Sequence, residues 1–258
     1  MKVAVRAAAG LAALVVVIGS AAVVQGFTGG GSGSDRERAS VMSDSPQSSV
    51  SVPVLVGLTE REAVKALGAS GLVANVRFDK DAPRTGKVLR SDPGAGSELR
   101  PESVVGLTIA LPPRLPPPAP GQEQDPQPFN SMVEDNPDAF VGLYLDEEGV
   151  PHAVFGPGVD PAAWRERLDA AAEGLPYRTE TCSRSRASLR ALQDEIAAKD
   201  WTQDKSLAFG VFVHPSTCTV RVESDLLTDA DIRTLVDRYG TRISIDTTEG
   251  SHPVLLGP

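Results

Sequence analysis

Hydrophobic and polar positions fall into three regimes along this chain. Residues 7–24 carry no charge and are dominated by Leu11, Leu14, Val15, Val16, Val17 and Ile18, directly after the basic residues Lys2 and Arg6. From about residue 52 to 111 the pattern breaks into short runs. Ala63, Ala66 and Leu67 follow a 3.6-residue period, while Leu72–Phe78, Gly86–Arg90 and Ser103–Ile109 alternate like strands. Thr59 and Glu62 have the spacing of a capping box at the start of the helical stretch, and Gly71 is placed to end it. The expected product is one short helix on a small three-stranded sheet.

From about residue 129 the runs lengthen. Phe140–Leu145 and His152–Phe155 predict a hairpin. Asp160-Pro161 opens a helix with Trp164 and Leu168 inward, and Pro176–Thr181 reads as a strand. Ser185 caps a second helix bearing Leu189, Leu192 and Ile196. Leu207–Val213 and Thr217–Glu223 make another hairpin, Thr228 caps a third helix, and Arg242–Asp246 is a last strand. The order is ββαβαββαβ, an α+β fold with helices on one face of a largely antiparallel sheet.

The remaining segments set the boundaries. Residues 1–27 have the basic start and apolar core of a signal peptide or signal anchor. Ser20-Ala21-Ala22 offers a cleavage point, whereas retention gives a single-pass anchor with the rest of the chain outside the cytoplasm. The anchor is the preferred expectation, secretion after cleavage the alternative. Residues 28–51 are a Gly/Ser-rich spacer, and 112–128 a proline-rich linker. The divisions are therefore 52–111 and 129–258.

Charge separates the two units. The formal net charge is −9, and residues 129–258 hold 22 acids against 12 bases, where residues 51–111 hold 7 against 8. That excess makes nucleic acid a poor partner. Two cysteines, Cys182 and Cys218, are expected to pair in an exported chain. Cys218 is in phase with Val220 and Val222, and meets Cys182 if the strand before the second helix lies beside that hairpin.

Val52-Pro53-Val54-Leu55-Val56-Gly57-Leu58-Thr59, with Glu62-Ala63, Leu67 and Gly71-Leu72, resembles the front half of a PASTA domain. Gly86-Lys87-Val88, Asp92-Pro93-Gly94-Ala95-Gly96 and Val104–Ile109 resemble its back half. Pro101-Glu102-Ser103 departs from the pattern, since such domains often carry a glycine there. The resemblance implies a cell-wall role, with peptidoglycan or muropeptides as ligand. Lys87, Arg90 and Arg100 are the cations placed to pair with muropeptide carboxylates. Residues 129–258 are similar, in the order of Phe140–Asp146, Ser185–Ile196, Phe212–Pro215 and Val220–Val222, to propeptides of bacterial trypsin-like secreted proteases, chaperones or inhibitors of their protease, and the resemblance implies the fold alone.

Chemistry-bearing motifs are scarce. The three histidines, His152, His214 and His252, form no metal-ligand spacing, and no nucleophile elbow or phosphate-cradling loop occurs. The chain is expected to bind rather than catalyse, with no cofactor, no metal and no catalytic residue. A wall-targeted enzyme and a chaperone- or inhibitor-like partner of a secreted hydrolase are the alternatives.

Overall fold

The structure, a computed structural model, describes residues 48–114, 127–174 and 176–249. The membrane segment expected at the N-terminus lies outside the described residues. Among those described, no helix is long and apolar enough to cross a membrane.

The first unit is built from β1 (Val50–Ser51), α1 (Glu60–Ala69), β2 (Val73–Asp79), β3 (Val88–Asp92), β4 (Glu98–Leu99) and β5 (Val104–Ala110). The capping box of α1 is complete. Glu62 N donates to the Thr59 hydroxyl at 3.2 Å, and Thr59 N donates to Glu62 Oε2 at 2.8 Å. Ala63, Val64 and Leu67 turn inward onto Leu72, Val76, Val105 and Leu107. The three-stranded sheet is present in the order β3-β5-β2, with a separate two-stranded ribbon, β1-β4. Two-residue strands carry too little alternation to show in the sequence. At Glu102 the backbone takes φ 63° and Glu102 N reaches Gly71 O at 2.6 Å. The conformation a glycine would favour is therefore kept without one.

The second unit comprises α2 (Gln127–Asp135), β6 (Phe140–Leu145), β7 (Pro151–Phe155), α3 (Arg165–Ala172), β8 (Arg178–Thr181), α4 (Arg186–Ala197), β9 (Gly210–His214), β10 (Thr219–Glu223), α5 (Asp229–Tyr239) and β11 (Ile243–Asp246). The fold is mixed α+β, but the expected single, largely antiparallel sheet is not what forms. There are two sheets here, β6-β7-β8 and β9-β10-β11. In each, a hairpin is followed by a helix and a third strand parallel to the second. A chain that leaves a hairpin through a helix and rejoins beside its last strand must arrive parallel to it. With α2 before the first set and α4 before the second, αββαβ occurs twice. Helix α2 was not foreseen. It has two buried apolar positions, Phe129 and Val133, too few for a period to register.

The sheets do not stop at the unit boundary. β11 pairs in parallel with β2 through Ile245–Asn75 and Asp246–Val76, making a six-stranded sheet β3-β5-β2-β11-β10-β9. Thr247 N extends the seam to Val76 O at 2.9 Å, and Phe78 N donates to the Thr248 hydroxyl at 2.9 Å. Val73 of the first unit belongs to the same core as Leu189, Ile196, Val220, Val222, Leu235 and Ile245.

Cys182 and Cys218 are joined, with Cα atoms 5.6 Å apart. Their placement differs from expectation. Cys182 follows β8 and Cys218 precedes β10, so the bridge ties the two sheets of the second unit together. Cys218 sits not in strand alternation but at φ 59° in the turn before β10.

Candidate functional site

Lys87 stands just ahead of β3, bridged to Thr59 at the start of α1. Its charge helps the Thr59 hydrogen bonds hold the Glu62 carboxyl below its ordinary range. Arg90 is exposed on β3, the outer strand of the six-stranded sheet, and reaches the Thr108 hydroxyl at 3.4 Å. Leu89 between them is 41% exposed. Val56 is 59% exposed, beside the point where Gly57 N donates to Val88 O at 2.9 Å. Val88 N also donates to Leu58 O at 2.8 Å, so residues 57–59 cover the start of β3, where Lys87 is half-buried, and Leu89 and Arg90 are exposed further along the strand. Arg100 lies in the turn after β4, whose partner is β1 rather than that sheet.

The outer face of α1 is engaged. Arg61 and Lys65, four residues apart, share a face of α1. Both reach Glu180 of β8. Lys65 Nζ donates to Oε2 at 2.6 Å, and Arg61 Nη1 contacts Oε1. Tyr144 OH donates to the same Oε1 at 2.7 Å and accepts from Arg61 at 2.9 Å. Burial pushes the Glu180 carboxyl up, but the Lys65 and Tyr144 hydrogen bonds outweigh it, and its pKa falls to about 2. Burial, then the bond to Glu180, pushes the Tyr144 phenol well above its ordinary value.

Behind this contact lies His152, 3% exposed and stacked on Tyr144 with ring centroids 4.5 Å apart. Its Nδ1 is 2.9 Å from the Tyr144 hydroxyl and 3.2 Å from Glu180, and its Nε2 donates to Asp146 Oδ2 at 3.0 Å. Asp146 also accepts from Arg178 at 2.7 Å. Burial opposes ionisation of Asp146. The bond from His152 and the amides of Val150 and Glu148 prevail, and its pKa is lowered. With polar groups against both ring nitrogens, this histidine fastens β6, β7 and β8 to α1. A third ionic contact is Arg221 of β10, buried near Glu60 of α1, Glu223 and Asp246. Burial lowers its pKa, against the pull of Asp246 and Glu223.

A cavity of about 380 Å³ opens beside the network, with Arg61, Tyr144, Asp146, Arg178 and His214 in its wall. Burial also lowers the His214 pKa, despite the charge of Asp246, and Thr217 and Ser216 occupy its Nδ1 at 3.0 and 3.2 Å. Among the described residues no group of three or more His, Cys, Asp or Glu side chains is placed to hold a metal ion.

Sequence reasoning named Lys87, Arg90 and Arg100 but not Arg61, Lys65 and Glu180. The available signal was the cation pair at helical spacing in a near-neutral unit, opposite a unit with an acid excess.

Comparison with known families bears on the first unit alone. A PASTA domain is found at residues 50–110. No curated protein matches the chain. The likeness of residues 129–258 to protease propeptides draws no support from these comparisons.

Proposed function

We propose that this protein works outside the cytoplasm as a wall-associated binding protein, holding peptidoglycan or muropeptides through residues 50–110. Residues 129–258 act as an interaction module, and the apolar segment 7–24 tethers the chain to the membrane. The observation that carries this reading is the PASTA domain at residues 50–110. Helix α1 of that domain is spent on Glu180, while Arg90, Leu89 and Val56 are exposed and Lys87 is half-buried. Arg100 lies on the same domain at a separate turn. The Cys182–Cys218 bridge supports an oxidising compartment.

Co-sedimentation of the whole protein with insoluble peptidoglycan tests it. Charge-assisted hydrogen bonds to carboxylates are worth ~1.5–3 kcal/mol each, so the double variant Lys87→Glu/Arg90→Glu should weaken pelleting at least ~10-fold. Failure of the wild-type protein to pellet, or equal pelleting of the double variant, refutes the reading.

A further inference from the structure

The two larger sheets end in the strands β3, β9, β6 and β8. Three of these outer strands are blocked along part of the free edge. Residues 57–59 cover the start of β3, where Val88 exchanges backbone bonds with Gly57 and Leu58. On β9 the Gln193 side chain donates to Val211 O at 2.7 Å, and Pro215, without an N–H, follows the strand. Gly142 of β6 lies against that Pro215 ring. Covering segments, capping side chains and prolines are devices that keep strand edges from pairing with other chains. No such group lies on β8 among the described residues. Its counterpart in the repeated αββαβ unit, β11, carries β2 on the equivalent side.

The residues of β8 decide what fits there. Cys182 N donates to Phe155 O at 2.8 Å, and β8 runs parallel to β7. Alternate residues of a strand turn their backbone groups to the same neighbour. Arg178 and Glu180 therefore bond to β7, while the N–H and C=O of Thr179 and Thr181 point outward and meet no described residue. The Arg178 and Glu180 side chains share the face toward α1, and those of Thr179 and Thr181 share the other. Arg178, Thr179 and Thr181 are exposed. Suppose the run Tyr177-Arg178-Thr179-Glu180-Thr181 meets itself antiparallel, centred on Thr179. The outward backbone groups then pair, Thr179 with its copy and Thr181 with Tyr177. Arg178 stands opposite Glu180 twice. Threonine with threonine, aromatic with β-branched and opposite charges are all favourable cross-strand pairs. Centring on Glu180 instead sets that carboxylate against its copy, and centring on Thr181 sets Arg178 against Arg184, which are unfavourable like-charge pairs.

We propose that two copies of this protein associate through β8, antiparallel about a two-fold axis at Thr179. Such a contact is isologous, because the same patch serves both copies and the pairing closes on itself. The β6-β7-β8 sheets of the two copies become one sheet. The contact lies outside residues 50–110 and stands or falls independently of wall binding there.

Light scattering of the whole protein in detergent tests the assignment, and the protein mass should double between micromolar and millimolar concentration. Thr179→Pro deletes an N–H that serves no bond within the chain. It should keep the protein monomeric without lowering the melting temperature, since proline is tolerated where the N–H faces away from the sheet. Thr179→Cys provides a second variant. Hydrogen-bonded antiparallel partners have Cα atoms about 5.5 Å apart, within reach of a disulfide. On mild oxidation this variant should cross-link between copies at least ~10-fold faster than Glu147→Cys, at an exposed position outside β8. Adding Arg178→Glu sets like charges opposite each other twice and should slow that cross-linking at least ~5-fold. A monomeric wild-type protein at millimolar concentration, equal association of Thr179→Pro, cross-linking of Thr179→Cys no faster than of Glu147→Cys, or cross-linking unchanged by Arg178→Glu overturns the proposal.

Discussion

Opening the Cys182–Cys218 bridge is the perturbation whose size follows most directly from the chain. The cysteines are 36 residues apart, and the loop they close contains α4, β9 and the turn into β10. In the chain-entropy model, releasing a loop of that length stabilises the unfolded state by about 4 kcal/mol. For a folded unit of roughly 200 residues that corresponds to a fall in melting temperature of about 8–16 °C. One further effect acts on the folded state. Cys182 is fully buried, so Cys182→Ala also leaves a small void, whereas Cys218 is only half-buried. Reduction of the native protein leaves both sulfurs in place and isolates the entropic effect. Urea unfolding should be followed with and without reductant, and for Cys218→Ala and the double alanine variant. All three should lose stability, the double variant most, and reductant should have no effect on either variant. A loss under ~1 kcal/mol on reduction would refute the reasoning, because it would mean that the two sheets hold their register without the covalent tie.

Three further outcomes follow from individual contacts. The folded-state pKa values of Glu180 and Asp146 lie below their ordinary ones, so both stabilise the fold above their unfolded pKa values and that contribution disappears as pH falls, through about 2 for Glu180. With 21% of the Glu180 side chain exposed, screening limits its share to about 1–2 kcal/mol. Glu180→Gln should therefore weaken urea stability at pH 7 and flatten its decline between pH 5 and 2 (both limits approximate). A parallel decline in the two proteins would contradict the clamp. Gly142→Ala places a Cβ 2.5 Å from Cγ of the Pro215 ring, and should cost about 1–3 kcal/mol by urea titration; an unchanged midpoint would show that β6 and the 214–218 turn are not in close contact. Thr59→Ala removes the hydroxyl of the capping box and should cost about 1 kcal/mol, with Ser185→Ala at α4 as a matched comparison.

Local chemistry was readable and long-range pairing was not. The caps at Thr59, Ser185 and Thr228, the two hairpins and the partnership of the cysteines each depend on residues near in sequence or on a count. The seam between β2 and β11 depends on which strand meets which across some 170 residues, and nothing in Val73–Asp79 or Ile243–Asp246 names its partner. His152 shows the same limit. Its surroundings come from β6, β8 and α1, so a lone histidine at the start of a strand carried no sign of the network built on it. The charge balance showed an acid excess in one unit against near neutrality in the other, but not that α1 was the face used.

The parallel seam also decides what each half would be without the other. Cut at the proline-rich stretch, the first piece would expose β2 and the second β11, whose four residues are all buried in the intact chain. Each would then show a row of unpaired backbone groups along a strand edge, the template on which foreign strands add. Separate halves are accordingly expected to self-associate on expression, and the junction serves as each half's guard against aggregation.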